Sequence, residues 1–125
     1  GGQKYGFLDA RDAVEGISLM ARHLVNPEGD VYSQLSGERR ILLNLGNQIF
    51  YSLSYICDKI AQIGRKYGYY PQIEVAQEDG EWYNSSLDST KFCSTFSWQA
   101  KYLLEDTIKE IYEDVECRGK NIYVQ

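Results

Sequence analysis

Apolar side chains recur every three or four residues in three stretches of the chain, and each stretch predicts an amphipathic helix. The stretches cover about 9–25, 52–66 and 103–116. Asp9 and Ser52 are expected to cap the first two, because their side chains accept hydrogen bonds from free helix amides. Gly68 suits the end of the second helix. The apolar faces comprise Ala13, Val14, Ile17, Met20 and Leu24; Leu53, Ile56, Ile60 and Ile63, which are expected to face inward; and Leu104, Ile108, Ile111 and Val115.

Shorter extended segments are predicted between these helices, at 5–8, 40–45, 72–77 and 82–87. In the third, Ile73 and Val75 alternate with polar residues, as in a half-buried strand. Asp88 is expected to cap a short helix that carries Phe92 and Phe96. The fold class is therefore α/β, a small mixed α+β domain of three or four helices packed on short strands. All 125 residues form one domain, with residues 1–4 and 118–125 expected to be flexible.

Composition and charge exclude several classes of protein. The formal net charge of −5 argues against nucleic-acid and anionic-membrane partners, which recruit clusters of Lys and Arg. No apolar run approaches the roughly 20 residues that span a bilayer, and nothing near the start resembles a secretory signal. Cys57, Cys93 and Cys117 are odd in number and far apart, which fits reduced thiols. We therefore expect a cytoplasmic protein.

Three features suggest site chemistry, and each has a simpler explanation. Tyr55 and Lys59 have the Tyr-x-x-x-Lys spacing of short-chain dehydrogenases, but that chemistry needs a nicotinamide held by a Gly-rich turn, and the chain has no Gly-x-Gly-x-x-Gly. His23 is the single histidine, which removes His dyads and multi-His metal sites. The acidic run at 78–81 lacks the alternation of a metal loop and is interpreted as a solvated turn. No catalytic, cofactor-binding or metal-binding residue is assigned.

A set of short motifs in fixed order carries a family resemblance. Its centre is Asn44-x-Gly46, where Gly46 is expected to take a positive φ as an apolar run ends. The order resembles the C-terminal substrate-binding domain of the NAD-dependent sugar-nucleotide epimerase/dehydratase family, the extended short-chain dehydrogenases/reductases. The resemblance covers about 5–114, apart from an extra polar segment near 30–38. The other motifs are Asp9-Ala10-Arg11-Asp12-Ala13-Val14-Glu15-Gly16-Ile17, Asp88-Ser89-Thr90-Lys91, Phe96-Ser97-Trp98 and Leu104-Glu105-Asp106.

The resemblance implies an enzyme of two parts, a substrate-binding part like this chain and a Rossmann half that this sequence lacks. That half would supply NAD and the catalytic Tyr and Lys, so this chain alone is expected to be inactive and to hold no cofactor. Its implied task is to grip a nucleotide-sugar substrate shared with the absent half, with Phe7, Ile49 and Ser85 facing the nucleotide. Trp98 is implied to pack where the chain turns into the last helix. Family dimers form through the missing half, so the fragment is expected to be monomeric.

The sequence departs from the family at the phosphate-binding positions. The family opens this domain with Arg-Asp-Phe or Arg-Asp-Tyr, whereas this chain has Tyr5-Gly6-Phe7. A second family Arg falls within 78–86, where there is no Arg or Lys. Bidentate Arg contacts usually offset the desolvation of a diphosphate. Lys4 and Arg11 are the basic residues near enough in sequence to replace the first lost Arg.

Two functions of different class therefore stay open. The first is the substrate-binding part of an NAD-dependent sugar-nucleotide epimerase or dehydratase. The second is a diverged, non-catalytic binding or assembly module that kept the fold, and the lost arginines motivate it.

Overall fold

The computed structural model describes residues 3–26, 41–74, 84–85 and 87–121. Within them lies a small mixed α+β domain of four helices and a two-stranded sheet, which confirms the expected fold class. The strands pair antiparallel, with Tyr5 opposite Tyr51. The elements are β1 (Lys4–Gly6), α1 (Ala10–Val25), β2 (Phe50–Ser52), α2 (Leu53–Lys66), α3 (Thr90–Phe96) and α4 (Leu104–Asn121).

Local capping chemistry fixes where the first two long helices begin, as the sequence predicts. The side chain of Asp9 accepts the Arg11 N–H at 2.9 Å, and that of Ser52 accepts the Tyr55 N–H at 3.2 Å. Gly68 follows the end of α2 with a φ of +80°, a conformation that glycine adopts without strain. The last helix begins at Leu104 and continues past its predicted end near Glu116, through Asn121.

The buried apolar side chains of the described residues include two groups. One lies between α2 and α4 and comprises Tyr51, Ile56, Ile63, Leu104 and Ile108. The other centres on Phe92, which is fully buried, and on Trp98, whose ring meets Phe92 edge to face at 5.3 Å between centroids. Trp98 therefore packs where the chain turns into α4, as expected from the resemblance.

Only two residues of the apolar face predicted for α1 are half-buried, Ala13 and Met20, and the other three are exposed. Val14, Ile17 and Leu24 are 63%, 60% and 73% exposed. The buried positions of α1 are Asp12 and Gly16. Gly16 has no Cβ, and one built there would lie 2.7 Å from Leu45 Cδ1, so the glycine admits Leu45 against the helix. Close approach of a neighbouring segment, rather than hydrophobicity, selects the inner face.

The apolar faces of α2 and α4 are buried only in part. Ile56 and Ile63 of α2 and Leu104 and Ile108 of α4 are buried, as predicted. The remaining positions on both faces are more than a third exposed, which contradicts the expectation that Leu53 and Ile60 face inward. The two helices face each other along one side only, and each stripe is wider than that contact. The exposed members are Leu53, Ile60, Ile111 and Val115.

Some predicted strands are absent from the described residues. Residues 41–45 and 72–74 form no strand there, while 40, 75–83 and 86 lie outside those residues. Instead of pairing, the first segment is fixed by the Asn44 side chain, which donates to the Asp88 carbonyl at 3.1 Å. The predicted segment at 82–87 contributes one described bridge, Ser85 beside Tyr5. The cap of α3 is Ser89, although Asp88 Oδ1 accepts the Thr90 N–H at 2.9 Å.

We expect Gly64→Ala to destabilise the fold although alanine favours helices. A Cβ at this position of α2 would lie 2.5 Å from the Tyr112 hydroxyl and 2.9 Å from its Cζ, and the Tyr112 ring is stacked against Tyr67. The resulting overpacking should cost about 1–3 kcal/mol in the free energy of unfolding measured by urea titration.

Gly119→Ala in α4 is the matched control. A Cβ at Gly119 meets nothing within 4 Å, so helix propensity acts alone and should add about 0.5–1 kcal/mol. Equal stabilisation by both substitutions would contradict the close packing of α2 on α4.

Candidate functional site

A cavity of about 390 Å³ opens between β1, residues 45–47 and residues 84, 85 and 87. Its volume lies within the range of small-molecule sites. A smaller cavity of about 120 Å³ adjoins it, since Gly46 and Asn47 line both. Among the described residues, those lining the larger cavity are Gly6, Leu8, Leu45, Gly46, Asn47, Asn84, Ser85 and Leu87.

Backbone pairing over a long sequence separation builds one wall of this cavity. The Gly6 N–H donates to the Ser85 carbonyl at 2.9 Å, and the Ser85 N–H donates to the Lys4 carbonyl at 2.9 Å. The Lys4 N–H donates to Asn84 Oδ1 at 3.0 Å. These contacts extend β1 sideways and hold the Asn84 and Ser85 side chains beside it.

Leu45, Gly46 and Asn47, which follow Asn44, line another part of the cavity. The Asn44 side chain donates to the Asp88 carbonyl and so connects these residues to the start of α3. The Asn47 Oδ1 accepts the Ile49 N–H at 3.0 Å. The expectation of a positive φ at Gly46 is wrong, because Gly68 is the positive-φ glycine among the described residues. A Cβ at Gly46 would lie an ordinary 3.5 Å from the Leu87 Cβ, so neither backbone conformation nor space requires a glycine here.

The structure brings most of the predicted nucleotide-facing residues to this region. Ser85 lines the larger cavity and Ile49 the smaller one. Phe7 follows the cavity residue Gly6 and is 45% exposed. Lys4 lies in β1 on the same wall, with an exposed side chain. Ser85 and Ile49, far apart in sequence, thus line adjoining cavities, and Lys4 and Phe7 lie in or next to the strand beside them.

The Arg11 side chain is held by two carboxylates outside the cavity lining. Its Nε and Nη2 each contact the Asp9 carboxylate at 2.9 Å, and its Nη1 contacts Glu110. The guanidinium also lies 3.6 Å from the centroid of the Tyr102 ring. This arrangement joins the start of α1 to α4, so we leave Arg11 out of the proposed site.

The Asp9–Arg11 pair predicts a pH dependence. Hydrogen bonds from Arg11 hold the pKa of Asp9 well below its usual range, and Thr107 adds a further bond at 2.5 Å. A carboxylate with a lowered folded pKa stabilises the fold fully above its unfolded pKa of about 4, and the stabilisation is lost progressively as the pH falls from there toward the lower folded pKa. We expect Asp9→Asn, which keeps a capping side chain, to lower the free energy of unfolding by about 1–2 kcal/mol at pH 7. Urea titrations at pH 7 and in acid should show the difference between wild type and variant shrinking in acid, whereas an unchanged difference would contradict the charge-based role.

The Tyr55 and Lys59 pair has a structural role in this geometry. The Tyr55 hydroxyl donates to Glu105 Oε1 at 2.5 Å, and Lys59 Nζ lies 3.2 Å from the same oxygen. The bond to Glu105 raises the pKa of Tyr55, whereas an acid/base tyrosine needs a lowered one. The cluster links α2 to α4.

The turn after β1 does not suit NAD. Dinucleotide sites place the pyrophosphate on the free amides of a helix that follows the first strand through a Gly-rich turn. Here the carboxylate of Asp9 occupies the start of α1 and brings negative charge to it.

In the described part of the chain, no group of three His, Cys, Asp or Glu side chains could hold a metal ion. Nor does a helix there have the length and apolar character needed to cross a membrane.

Sequence reasoning missed two of the cavity residues, Asn47 and Asn84. Each lies in a turn or loop, where asparagine is common for conformational reasons. The sequence therefore carries no signal that separates them from ordinary turn residues. Their proximity to one cavity depends on the pairing of Tyr5 with Ser85, which are 80 residues apart.

Comparison of the chain with protein-family models, with curated proteins and with solved structures gives no match in any of the three.

Proposed function

We propose that this chain is the substrate-binding part of an NAD-dependent sugar-nucleotide epimerase or dehydratase of the cytoplasm, and that it is inactive alone. NAD and the catalytic Tyr and Lys would belong to a Rossmann half in the same enzyme. The observation that supports the proposal is that Ser85 and Ile49, two of the three nucleotide-facing residues named by the family resemblance, line adjoining cavities. Their sequence separations make this proximity a property of the fold.

The cavity suits the neutral part of a nucleotide better than its diphosphate. Its described lining consists of leucine, glycine, asparagine and serine, with no charged side chain. A diphosphate buried there would lack the cations that offset its desolvation. We therefore place the nucleoside in the cavity and the diphosphate toward the absent half, with Lys4 as the nearby cation.

An assembly module is the second candidate, and one surface favours it. Val14, Ile17, Leu24 and Val25 form an exposed apolar surface, the α1 outer face. Exposed contiguous apolar patches commonly mark protein interfaces. In the first candidate this face would be covered by the other half of the enzyme; in the second it would be covered by another protein.

A titration followed by ¹⁵N NMR tests the first candidate on the chain as it stands. UDP-, dTDP-, CDP- and GDP-sugars are added up to millimolar concentration, a range that detects weak binding. We expect at least one of them to shift the amide signals of Gly46, Ile49 and Ser85 in a saturable manner. Amides at the far end of α2, such as Arg65, serve as the internal control and should not move.

The two candidates predict different outcomes. Absence of saturable shifts at the cavity with all four ligands would overturn the substrate-binding proposal. A self-association that sedimentation detects and that Ile17→Glu abolishes would instead support the assembly module. Ile17 is exposed, so the substitution should leave the fold intact.

A further inference from the structure

A separate cavity of about 620 Å³ lies between α2 and α4, and it shares no described lining residue with the two cavities beside β1. We call it the α2–α4 cavity. Its volume lies within the range of small-molecule sites. Ile63 and Tyr67 form the apolar part of its lining. Since Ile63 belongs to the core cluster together with Leu104 and Ile108, the packing of the two helices holds the walls of the cavity in place.

The charged side chains of this cavity attract an anion. Three lysines and two carboxylates line it, so the described lining has a formal charge of +1, whereas the whole chain carries −5. A local excess of positive charge raises the concentration of small anions near it. The charged lining residues are Lys59, Lys66, Lys109, Glu105 and Asp106.

Both carboxylates of the cavity already have partners within the chain. Glu105 Oε1 accepts the Tyr55 hydroxyl at 2.5 Å and lies 3.2 Å from Lys59 Nζ. Asp106 Oδ2 accepts the Leu103 N–H at 3.0 Å, in the first turn of α4, where the helix dipole stabilises a negative charge. Lys59 and Glu105 therefore neutralise each other, and the lysines that can bind a ligand are the other two.

Lys66 and Lys109 have donors available for a ligand. Lys66 is exposed, and none of the ion pairs between described residues involves it. Lys109 Nζ lies 3.7 Å from Glu113 Oε1, which is too long for a hydrogen bond. That oxygen accepts the Tyr67 hydroxyl at 2.9 Å instead. The cavity thus combines two weakly engaged cations with an apolar surface.

We infer that the α2–α4 cavity binds a small organic monocarboxylate, whose carboxylate contacts Lys66 and Lys109. The apolar body of the ligand would lie against Ile63 and Tyr67. A single negative charge neutralises the lining charge of +1, whereas a phosphate monoester carries close to two charges at pH 7 and would be repelled by the two carboxylates of the lining. This inference goes beyond the proposed function and does not depend on it.

A ¹⁵N NMR titration with 3-phenylpropionate, a monocarboxylate with an aromatic body, tests the inference. We expect saturable shifts of the Ile63, Tyr67 and Lys109 amides, with a dissociation constant of roughly 1 mM because both lysines are exposed. The amides of Gly46 and Ser85, at the cavity beside β1, are the internal control. At the same ionic strength, 3-phenylpropanamide, acetate and phenyl phosphate should each bind at least about 3-fold more weakly, since they lack the charge, lack the apolar body or carry excess charge.

Lys66→Gln is the variant that separates a specific site from a general effect of charge. It removes one of the two donors, and Lys66 is exposed, so the fold should tolerate the change. We expect the affinity for 3-phenylpropionate to fall about 3- to 10-fold. Arg65→Gln is the matched control, because Arg65 is the neighbouring residue of α2, is exposed, lies outside the cavity lining and loses the same charge. Its affinity should equal that of the wild type.

Several outcomes would overturn the inference. The first is the absence of saturable shifts with 3-phenylpropionate, and the second is equal binding of its neutral amide. Tighter binding of phenyl phosphate would contradict the match of a single charge. An equal loss of affinity in folded Lys66→Gln and Arg65→Gln variants would show that net charge, rather than this cavity, attracts the ligand. The proposed function is tested at the Gly46, Ile49 and Ser85 amides, so its failure is distinguishable from each of these.

Discussion

Trp98→Ala is expected to lower the free energy of unfolding by about 3–5 kcal/mol, the usual cost of deleting a buried aromatic side chain. Trp98 is 6% exposed, and its ring packs edge to face against the fully buried Phe92. Its Nε1 donates to Glu15 Oε2 at 3.3 Å, so the ring also links the segment that follows α3 to α1. The substitution would leave a cavity beside Phe92 and remove this link to α1.

Trp98→Phe separates the contribution of the ring packing from that of the hydrogen bond to Glu15. Phenylalanine keeps an aromatic ring against Phe92 but loses the N–H donor to Glu15 and part of the buried area. We expect it to cost about 1–2 kcal/mol, clearly less than alanine. Urea unfolding monitored by far-ultraviolet circular dichroism gives both values. A loss below about 1 kcal/mol for Trp98→Ala would mean that the ring is not part of the core.

Asp12→Ala is expected to lower the free energy of unfolding by about 2–4 kcal/mol, because it removes a completely buried carboxylate that accepts hydrogen bonds from two backbone amides. The Lys101 N–H lies 3.1 Å from both carboxylate oxygens, and the Tyr102 N–H lies 3.0 Å from Oδ2. Asp12 is completely buried, so water does not replace the lost acceptor without a rearrangement. The contacts hold the segment before α4 against α1.

Asp12→Asn is the matched control, since it retains one side-chain oxygen of the same reach. An oxygen at the Oδ2 position can still accept from Lys101 and Tyr102, so we expect a smaller loss, about 1 kcal/mol. Hydrogen exchange provides a second measurement. The Lys101 and Tyr102 amides should lose protection in the alanine variant and retain much of it in the asparagine variant. Equal loss of stability in both variants would show that the charge, rather than the hydrogen bonds, matters at this position.

Part of the candidate site was predictable from the sequence. The family resemblance named Ser85 and Ile49, and each lines one of the two adjoining cavities. The role of Arg11 could not be anticipated, because Glu110 and Tyr102, which hold its guanidinium, are about 90 to 100 residues away along the chain. A short separation in sequence made Arg11 look available for a phosphate. The tertiary contacts show that two carboxylates already bind it.

The sequence by itself determined where the first two long helices begin. Capping by Asp9 and Ser52 and the 3.6-residue period act over one or two turns, so a single sequence is sufficient to reveal them. Only the tertiary structure decided which side of α1 is buried. Leu45 packs closely against Gly16, and the Asp12 carboxylate accepts hydrogen bonds from amides near the start of α4. Both contacts involve segments far away in the chain, so the sequence of α1 alone does not reveal that they outweigh its apolar face.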